Sequence, residues 1–337
     1  MKNRQITHFL VVILAALCVA ACVYAQQQTA ELTGHLTDTT GAALAGATVT
    51  VSNPARGFKV IVKADAQGDY VAPLLPPADG YRVTVSIAGF TTAVRSGITL
   101  QVAQVAQVNM SLKVGASTQT VVVSGAPPLL DTQTSSIGQV ISARTITDLP
   151  LNGRSSFRLI QLTPGVTFNQ AAYGQFGDVP VNTTWDADFS VNGGQAQSNE
   201  ILIDGVPSSV GFFNQITTIP SVDDTEEFKV ESDPLPAEYG RFGGGVVNVT
   251  TKSGTDNLHG DAFEFLRNSA LDANDYIDKS KGVGIPPLKM NQYGGTLGGP
   301  VVLPRIYHGR NKTFFFVSYQ GTSRIQGSTF LGTVPTT

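Results

Sequence analysis

Between residues 30 and 114 apolar and polar positions alternate in short runs. Ala47, Val49 and Val51 alternate with Thr48, Thr50 and Ser52. Tyr81, Val83, Val85 and Ile87 alternate with Arg82, Thr84 and Ser86, and Val108, Met110, Leu112 and Val114 alternate with polar neighbours. A period of two puts one set of side chains on one face of a strand. Several such strands over roughly 85 residues predict a small two-sheet sandwich. Thr40-Gly41, Gln67-Gly68-Asp69 and Asp79-Gly80 are the turn signals that separate them.

From residue 129 to 253 the pattern becomes mixed. Residues 155–162 read as a short helix, with Phe157 and Ile160 on one face and Pro164-Gly165 as its stop. Residues 188–206 read as a strand, an Asn-Gly-Gly turn and a second strand, Ile201-Leu202-Ile203, closed by Asp204 and Gly205. The least generic stretch is residues 219–255. Its parts are an amphipathic strand of Phe228 and Val230 against Lys229 and Glu231, a Pro-bracketed loop, the aromatic pair Tyr239 and Phe242, and three glycines entering a β-branched strand. Gly243, Gly244 and Gly245 suit backbone that passes very close to another wall or takes a positive φ, and they suit an exposed hairpin loop as well. The acidic run 223–227 reads as a solvated loop or helix start. Glu238 and Arg241, flanking Tyr239-Gly240, read as an ion-pairing couple or as surface charge.

Composition favours strands and turns over helices, with 35 glycines and 18 prolines in 337 residues and abundant Thr and Val. The net charge of −3, with no Lys/Arg cluster, gives no pointer to nucleic acid. Residues 1–25 have a basic start, an apolar core and a Val23-Tyr24-Ala25 end, the pattern of a secretory signal cleaved before Gln26. A lipobox-like Val19-Ala20-Ala21-Cys22 leaves lipoprotein processing at Cys22 open. Both cysteines, Cys18 and Cys22, lie in this segment, so cleavage at Ala25 leaves no thiol for disulfides or metal.

Chemistry of the usual enzymatic kinds is not readable here. His8, His35, His259 and His308 are scattered, and H-E-x-x-H, G-x-S-x-G, S-x-x-K, Walker A and G-x-G-x-x-G patterns are missing. Asp272-Ala273-Asn274-Asp275 begins like a calcium loop, but Tyr276 and Ile277 stand where a ligand and a glycine are required. The reading is therefore a non-enzyme without a cofactor or metal.

Three sets of residues carry family resemblances. Gly41, Gly46, Ala47, Val49, Gly68, Tyr70, Leu75, Pro76, Tyr81, Val83 and Gly89-Phe90 resemble the carboxypeptidase regulatory-like domain, which implies a prealbumin-like, Ig-like β-sandwich with a carbohydrate-binding-like fold over residues 28–114. The texts LPLNGRSSFRLIQLTPGV, FSVNGGQAQSNEILIDGVP and EYGRFGGGVVNVTTKSG resemble the plug of TonB-dependent outer-membrane receptors, in wording closest to the Oar-like group. HGDAFEFLRNSALDANDY, NQYGGTLGGPVVLP and GRNKTFFFVSYQGTSR resemble the first strands of the receptor barrel, although Phe314-Phe315-Phe316 alternates poorly.

These resemblances imply a mainly β chain: signal (1–25), sandwich (28–114), hinge (115–128), mixed α/β plug (129–253), and the first few strands of a truncated transmembrane β-barrel (257–337), the whole an N-terminal fragment. The valine-rich hinge centre, Thr120, Val121, Val122, Val123 and Ser124, resembles a TonB box. It reads equally as a last strand of the sandwich or a structural linker. Asp204, Gly205, Tyr239, Gly240 and the glycine triplet are then structural residues of the plug. The implied partners are TonB, outer-membrane lipid and an unidentified ligand of carbohydrate or iron-chelate type, with no nucleic acid. The implied location is the outer membrane, with the sandwich in the periplasm and energised uptake as the activity. The alternative is a secreted or surface-attached adhesion or glycan-binding protein built on the sandwich.

Overall fold

Where side chains alternate, the backbone is extended and one face of each strand is buried. The computed structural model describes residues 29–115, 120–123, 137–168, 189–210, 214–233, 239–240, 242–274 and 276–327. The signal reading of residues 1–25 lies outside them. The fold is mainly β, with one unit up to Lys252 and a second from Ser253.

The first unit begins with a sandwich. Its strands are β1 (Ala30–Asp38), β2 (Thr48–Asn53), β3 (Phe58–Lys63), β4 (Asp69–Leu75), β5 (Ala78–Ser86), β6 (Thr92–Leu100), β7 (Val105–Gln107), β8 (Met110–Leu112) and β9 (Thr120–Val123). One sheet runs β4-β1-β7, with β8 also on β1, and the other runs β3-β2-β5-β6-β9. Leu32, Leu36, Val49, Val51, Val83 and Val85 are fully buried between them, each contributing about 1.5–3 kcal/mol of apolar burial. The two buried tyrosines keep their hydroxyls satisfied: Tyr70 donates to Val108 O at 2.8 Å and Tyr81 to Pro76 O at 2.6 Å.

The plug follows. Its strands are β10 (Ile137–Ser142), β11 (Val166–Phe168), β12 (Phe189–Val191), β13 (Glu200–Ile203), β14 (Val206–Pro207), β15 (Ser209–Val210), β16 (Gln215–Ile216), β17 (Thr225–Asp233) and β18 (Val246–Thr251). The main sheet runs β10-β17-β18-β13-β14. A second core of Ile141, Ile160, Phe189, Phe228, Val230 and Val247 is built under it. The segment read as a short helix is a 3-10 helix, Ser156–Leu162, which buries Phe157, Leu159 and Ile160. The two strands read on either side of the Asn-Gly-Gly turn do not pair with each other. β12 pairs with β11, and β13 runs parallel to β18. Asn199 joins them instead: its amide donates to Phe189 O and its carbonyl oxygen accepts from Gly245 N–H at 2.9 Å.

The acidic run is not a solvated loop. Thr225, Glu226 and Glu227 open β17, where Phe228 and Val230 face the plug core. The opposite face is also buried, with Glu227 9%, Lys229 6% and Glu231 1% exposed. The loop between β6 and β7 meets this face. Glu227 accepts from the Val102 N–H, Lys229 Nζ donates to Ala103 O at 3.0 Å and pairs with Glu231 at 3.2 Å, and Arg56 pairs with Glu226 at 3.1 Å. These contacts clamp the sandwich to the plug sheet. Burial raises the Glu227 carboxyl to about 7; the Val102 N–H opposes this, Glu226 and Asp79 add to it, and Arg56 opposes it.

In the second unit, β19 (His259–Asn268), β20 (Leu288–Pro300) and β23 (Phe314–Gln326) form an antiparallel sheet, and β21 (Val302–Leu303) and β22 (Tyr307–His308) form a small hairpin. Directly paired residues share a face. Leu297 pairs with Val317, Gly295 with Tyr319 and Tyr293 with Gly321 on one face, while Thr296 pairs with Ser318, Gly294 with Gln320 and Gln292 with Thr322 on the other. On β20 and β23 one face is thus richer in apolar and the other in polar side chains, while β19 adds Phe263 and Phe265 to the polar side, opposite Gly294 and Gln292, and Glu264 to the apolar side, opposite Tyr293. The exception at Phe314-Phe315-Phe316 has a local reason, because Phe316 on the polar face lies opposite Gly298. A Cβ on Gly298 would come within 3.0 Å of that ring.

The glycine triplet divides by position. A Cβ on Gly245 would meet Val191 Cγ2 at 2.8 Å and Glu231 O at 2.9 Å, and one on Gly244 would collide with Asn199 Oδ1 and lie 2.9 Å from Ser198 O. Gly243, grouped with them as close-packed in the sequence reading, has nothing within 4 Å of such a Cβ. Gly245→Ala is therefore expected to cost about 1–3 kcal/mol and Gly243→Ala under about 0.5 kcal/mol, as measured by urea unfolding. Equal midpoints for the two variants would count against the close approach.

The seam titrates. Glu227 holds its proton more tightly in the fold than in the unfolded chain. Its contribution is therefore complete below pH 4.5 and is lost as the pH rises through about 7. Thermal unfolding is expected to fall across that window. Glu227→Gln, which keeps an acceptor for the Val102 N–H, is expected to flatten the fall; an unchanged profile in the variant would refute the assignment.

Candidate functional site

The hinge strand β9 follows a Gly-bounded stretch and is rich in β-branched residues, which favour extended backbone. It lies parallel to β6, with Thr120 opposite Thr92, Val121 opposite Ala93, Val122 opposite Val94 and Val123 opposite Arg95. Ser124 lies outside the described residues. β9 is the terminal strand of its sheet, so among the described residues one row of its backbone donors and acceptors faces no further strand. An edge of this kind can accept an extended segment of another chain.

The plug residues singled out in the sequence lie at both ends of the parallel β13–β18 pair, with Gly244 and Gly245 before its start and Asp204 and Gly205 after its finish. Asp204 (φ 50°) and Gly205 (φ 81°) turn the chain from β13 into β14. The Asp204 carboxylate accepts from Thr251 N–H at 2.9 Å and from Thr251 Oγ1 at 2.6 Å, tying that turn to the end of β18. The Tyr239 hydroxyl accepts from Asn248 Nδ2 at 3.2 Å. Gly240 is exposed and makes no close approach. Glu238 and Arg241 lie outside the described residues. The structure therefore gathers Asp204, Gly205, Tyr239, Gly244 and Gly245 around β18, and places β9 elsewhere, on the sandwich.

Sequence reasoning missed the polar face of the plug sheet. Lys229 and Asn248 lie opposite each other in register, as do Glu227 and Thr250. Glu231 Oε2, Asn248 Oδ1 and Thr250 Oγ1 are buried without hydrogen-bond partners. The only signal for this face in the sequence is the period of two in β17, which cannot distinguish a wet face from a covered one. Among the described residues no group of three or more His, Cys, Asp or Glu side chains could hold a metal. The calcium-like stretch is engaged elsewhere, with Asp272 paired to Arg267 at 3.2 Å and Asn274 Nδ2 donating to Val283 O at 2.7 Å. No helix among the described residues is long and apolar enough to cross a membrane, which says nothing of a β-barrel.

Comparison with known proteins orders these parts. Residues 31–113 match the carboxypeptidase regulatory-like domain, residues 130–247 the TonB-dependent receptor plug domain, and residues 250–337 an outer membrane β-barrel domain. The TonB-dependent transporter Oar of Myxococcus xanthus is 26% identical over 333 residues, covering 95% of this chain and 30% of the relative. The chain thus spans about a third of that protein's length. Among solved structures, the siderophore receptor PirA of Pseudomonas aeruginosa aligns at 20% identity over 57% of this chain and 29% of its own, with a TM-score of 0.36. The outer membrane transporter YddB of Escherichia coli aligns at 18% identity over 49% of this chain and 24% of its own, with a TM-score of 0.39. The plug and barrel matches indicate an outer-membrane protein of a transporter and receptor class rather than an enzyme class. Matches to a regulatory-like domain, a TonB-dependent receptor plug domain and an outer membrane β-barrel domain thus follow one another along this chain, and together they support a TonB-dependent receptor.

Proposed function

We propose that this chain is the N-terminal part of an outer-membrane transporter that takes up a ligand with energy delivered through TonB, and that β9 is the strand TonB engages. The observation carrying the reading is the open edge of β9, a valine-rich strand lying between sandwich and plug in the chain. An extended partner segment adding to that edge gains backbone hydrogen bonds without needing a side-chain pocket. Because the clamp at Glu227, Lys229 and Arg56 ties sandwich to plug sheet, a pull on β9 is delivered to the plug through both the connecting chain and this seam. The sandwich stands on the periplasmic side in this reading. The plug residues Asp204, Gly205, Tyr239, Gly244 and Gly245 hold the sheet that must shift, and no covalent chemistry is required of them. The ligand, a carbohydrate or an iron chelate in the family reading, meets the outer face of the complete receptor.

Successive residues of a strand point their N–H groups to opposite edges. Of Val121→Pro and Val122→Pro, one therefore removes a donor facing β6 and the other a donor on the open edge. The open-edge proline is expected to reduce capture of the purified periplasmic domain of TonB at least tenfold while leaving the melting midpoint within a degree or two of wild type. Undiminished capture by both variants would sink the assignment.

A further inference from the structure

A cleft of about 160 Å³ opens at the edge of the sandwich, where the start of β6 meets the run through β8. The backbone closes its end: Thr91 N–H donates to Lys113 O at 2.8 Å and Gly115 N–H to Gly89 O at 3.0 Å. Thr91 and Arg95 project into it from the same side of β6, with Ala93 between them too short to fill the space. Asn109, Ser111 and Lys113 face it from alternate, exposed positions of the opposite run.

Arg95 and Lys113 put two positive charges on this cleft, and among the described residues no carboxylate lines it. The acids at the end of β1 and the start of β4 are engaged elsewhere: Asp38 accepts from Thr40 and Ala42, and Asp69 pairs with His35 at 2.7 Å. Among the described residues neither Arg95 nor Lys113 has an ion-pair partner. Arg95 Nε is buried without a hydrogen-bond partner, so its guanidinium is not tied down by a protein acceptor at that nitrogen.

The neutral groups are equally selective. Thr91 Oγ1 already donates to Lys113 O at 3.2 Å and Ser111 Oγ to Asp38 O at 3.1 Å, so both hydroxyls offer only acceptor lone pairs. Asn109 Oδ1 accepts from His35 N–H at 2.9 Å, leaving its two amide N–H groups to donate. A ligand matched to the cleft therefore carries one anionic group, hydroxyl donors and at least one further acceptor. The hydrogen phosphate dianion has one O–H donor for the two hydroxyls, and a neutral sugar leaves two cations uncompensated. A cavity of about 150 Å³ accepts a six-membered ring.

We infer that this cleft binds a sugar acid of hexuronate size, its carboxylate seated between Arg95 and Lys113 and its ring hydroxyls on Thr91, Ser111 and Asn109. The site lies on the sandwich and is independent of the strand assigned to TonB, although Arg95 sits opposite Val123 of β9 in register.

Calorimetric titration of the purified protein with glucuronate, galacturonate, glucose and inorganic phosphate at low salt tests this. Saturable binding of at least one uronate is expected, weakened tenfold or more in Lys113→Gln and in Arg95→Gln, with glucose and phosphate at least tenfold weaker. Lys113 is exposed, so its variant keeps the fold, which an unchanged melting midpoint verifies. The inference is overturned by lack of saturation with both uronates, by wild-type affinity in the Lys113 variant, by phosphate binding as tightly as the uronate, or by glucose doing so.

Discussion

Strand β17 is the element on which the first unit depends, because both of its faces are buried for different reasons. Phe228 and Val230 belong to the apolar core beneath the plug sheet. Glu227, Lys229 and Glu231 point the other way, where Glu227 and Lys229 bond the loop that joins β6 to β7 and Glu231 pairs with Lys229. Charged groups taken out of water need partners, and here the sandwich backbone supplies them. Glu227 and Lys229 are matched to particular backbone groups of that loop, the Val102 N–H and the Ala103 carbonyl, which makes the seam specific as well as cohesive. The same strand pairs with β10 on one side and β18 on the other, so the short plug sheet is organised from its second position.

Two kinds of strand edge follow from this arrangement. Within the plug sheet one edge is the two-residue β14, beside the Asp204-Gly205 turn whose carboxylate ties down the end of β18, and the other is the six-residue β10. On the sandwich, β9 extends the second sheet by one parallel strand and leaves its far side open. A four-residue parallel edge is a modest attachment, since each hydrogen bond contributes only about 0.5–1.5 kcal/mol net. That is the property a strand needs if it is to exchange partners under load. The cleft by Arg95 lies on the other side of β6's chemistry, in its side chains rather than its backbone, so the two surfaces can act without competing for the same groups.

Much of this was legible in the residues. The period of two marked the sandwich strands and their buried valines, the Asn-Gly and Asp-Gly steps marked turns, and the family text placed plug and barrel strands in order. What escaped was pairing. Residues 189–191 and 200–203 look like the arms of a hairpin, yet Asn199 joins them through its side chain and sends them to different sheets. Gly243, Gly244 and Gly245 look alike, yet only the second and third face a wall. The Phe314-Phe315-Phe316 run looked like a failure of alternation until Gly298 appeared opposite Phe316.

The sequence by itself determined the strand-rich composition, the alternating faces, the turns and the family resemblances, because these depend on neighbours within a few positions and on motif text. Only the tertiary structure decided which faces are covered by another domain, which glycine is crowded, and which two cations share an acid-free cleft. Burial, register and charge compensation depend on residues 70 to 170 positions away, such as His35 with Asn109 and Arg56 with Glu226. No local pattern carries that information, because the period of two that makes Glu227 and Lys229 share a face is the same whether water or the sandwich lies against it.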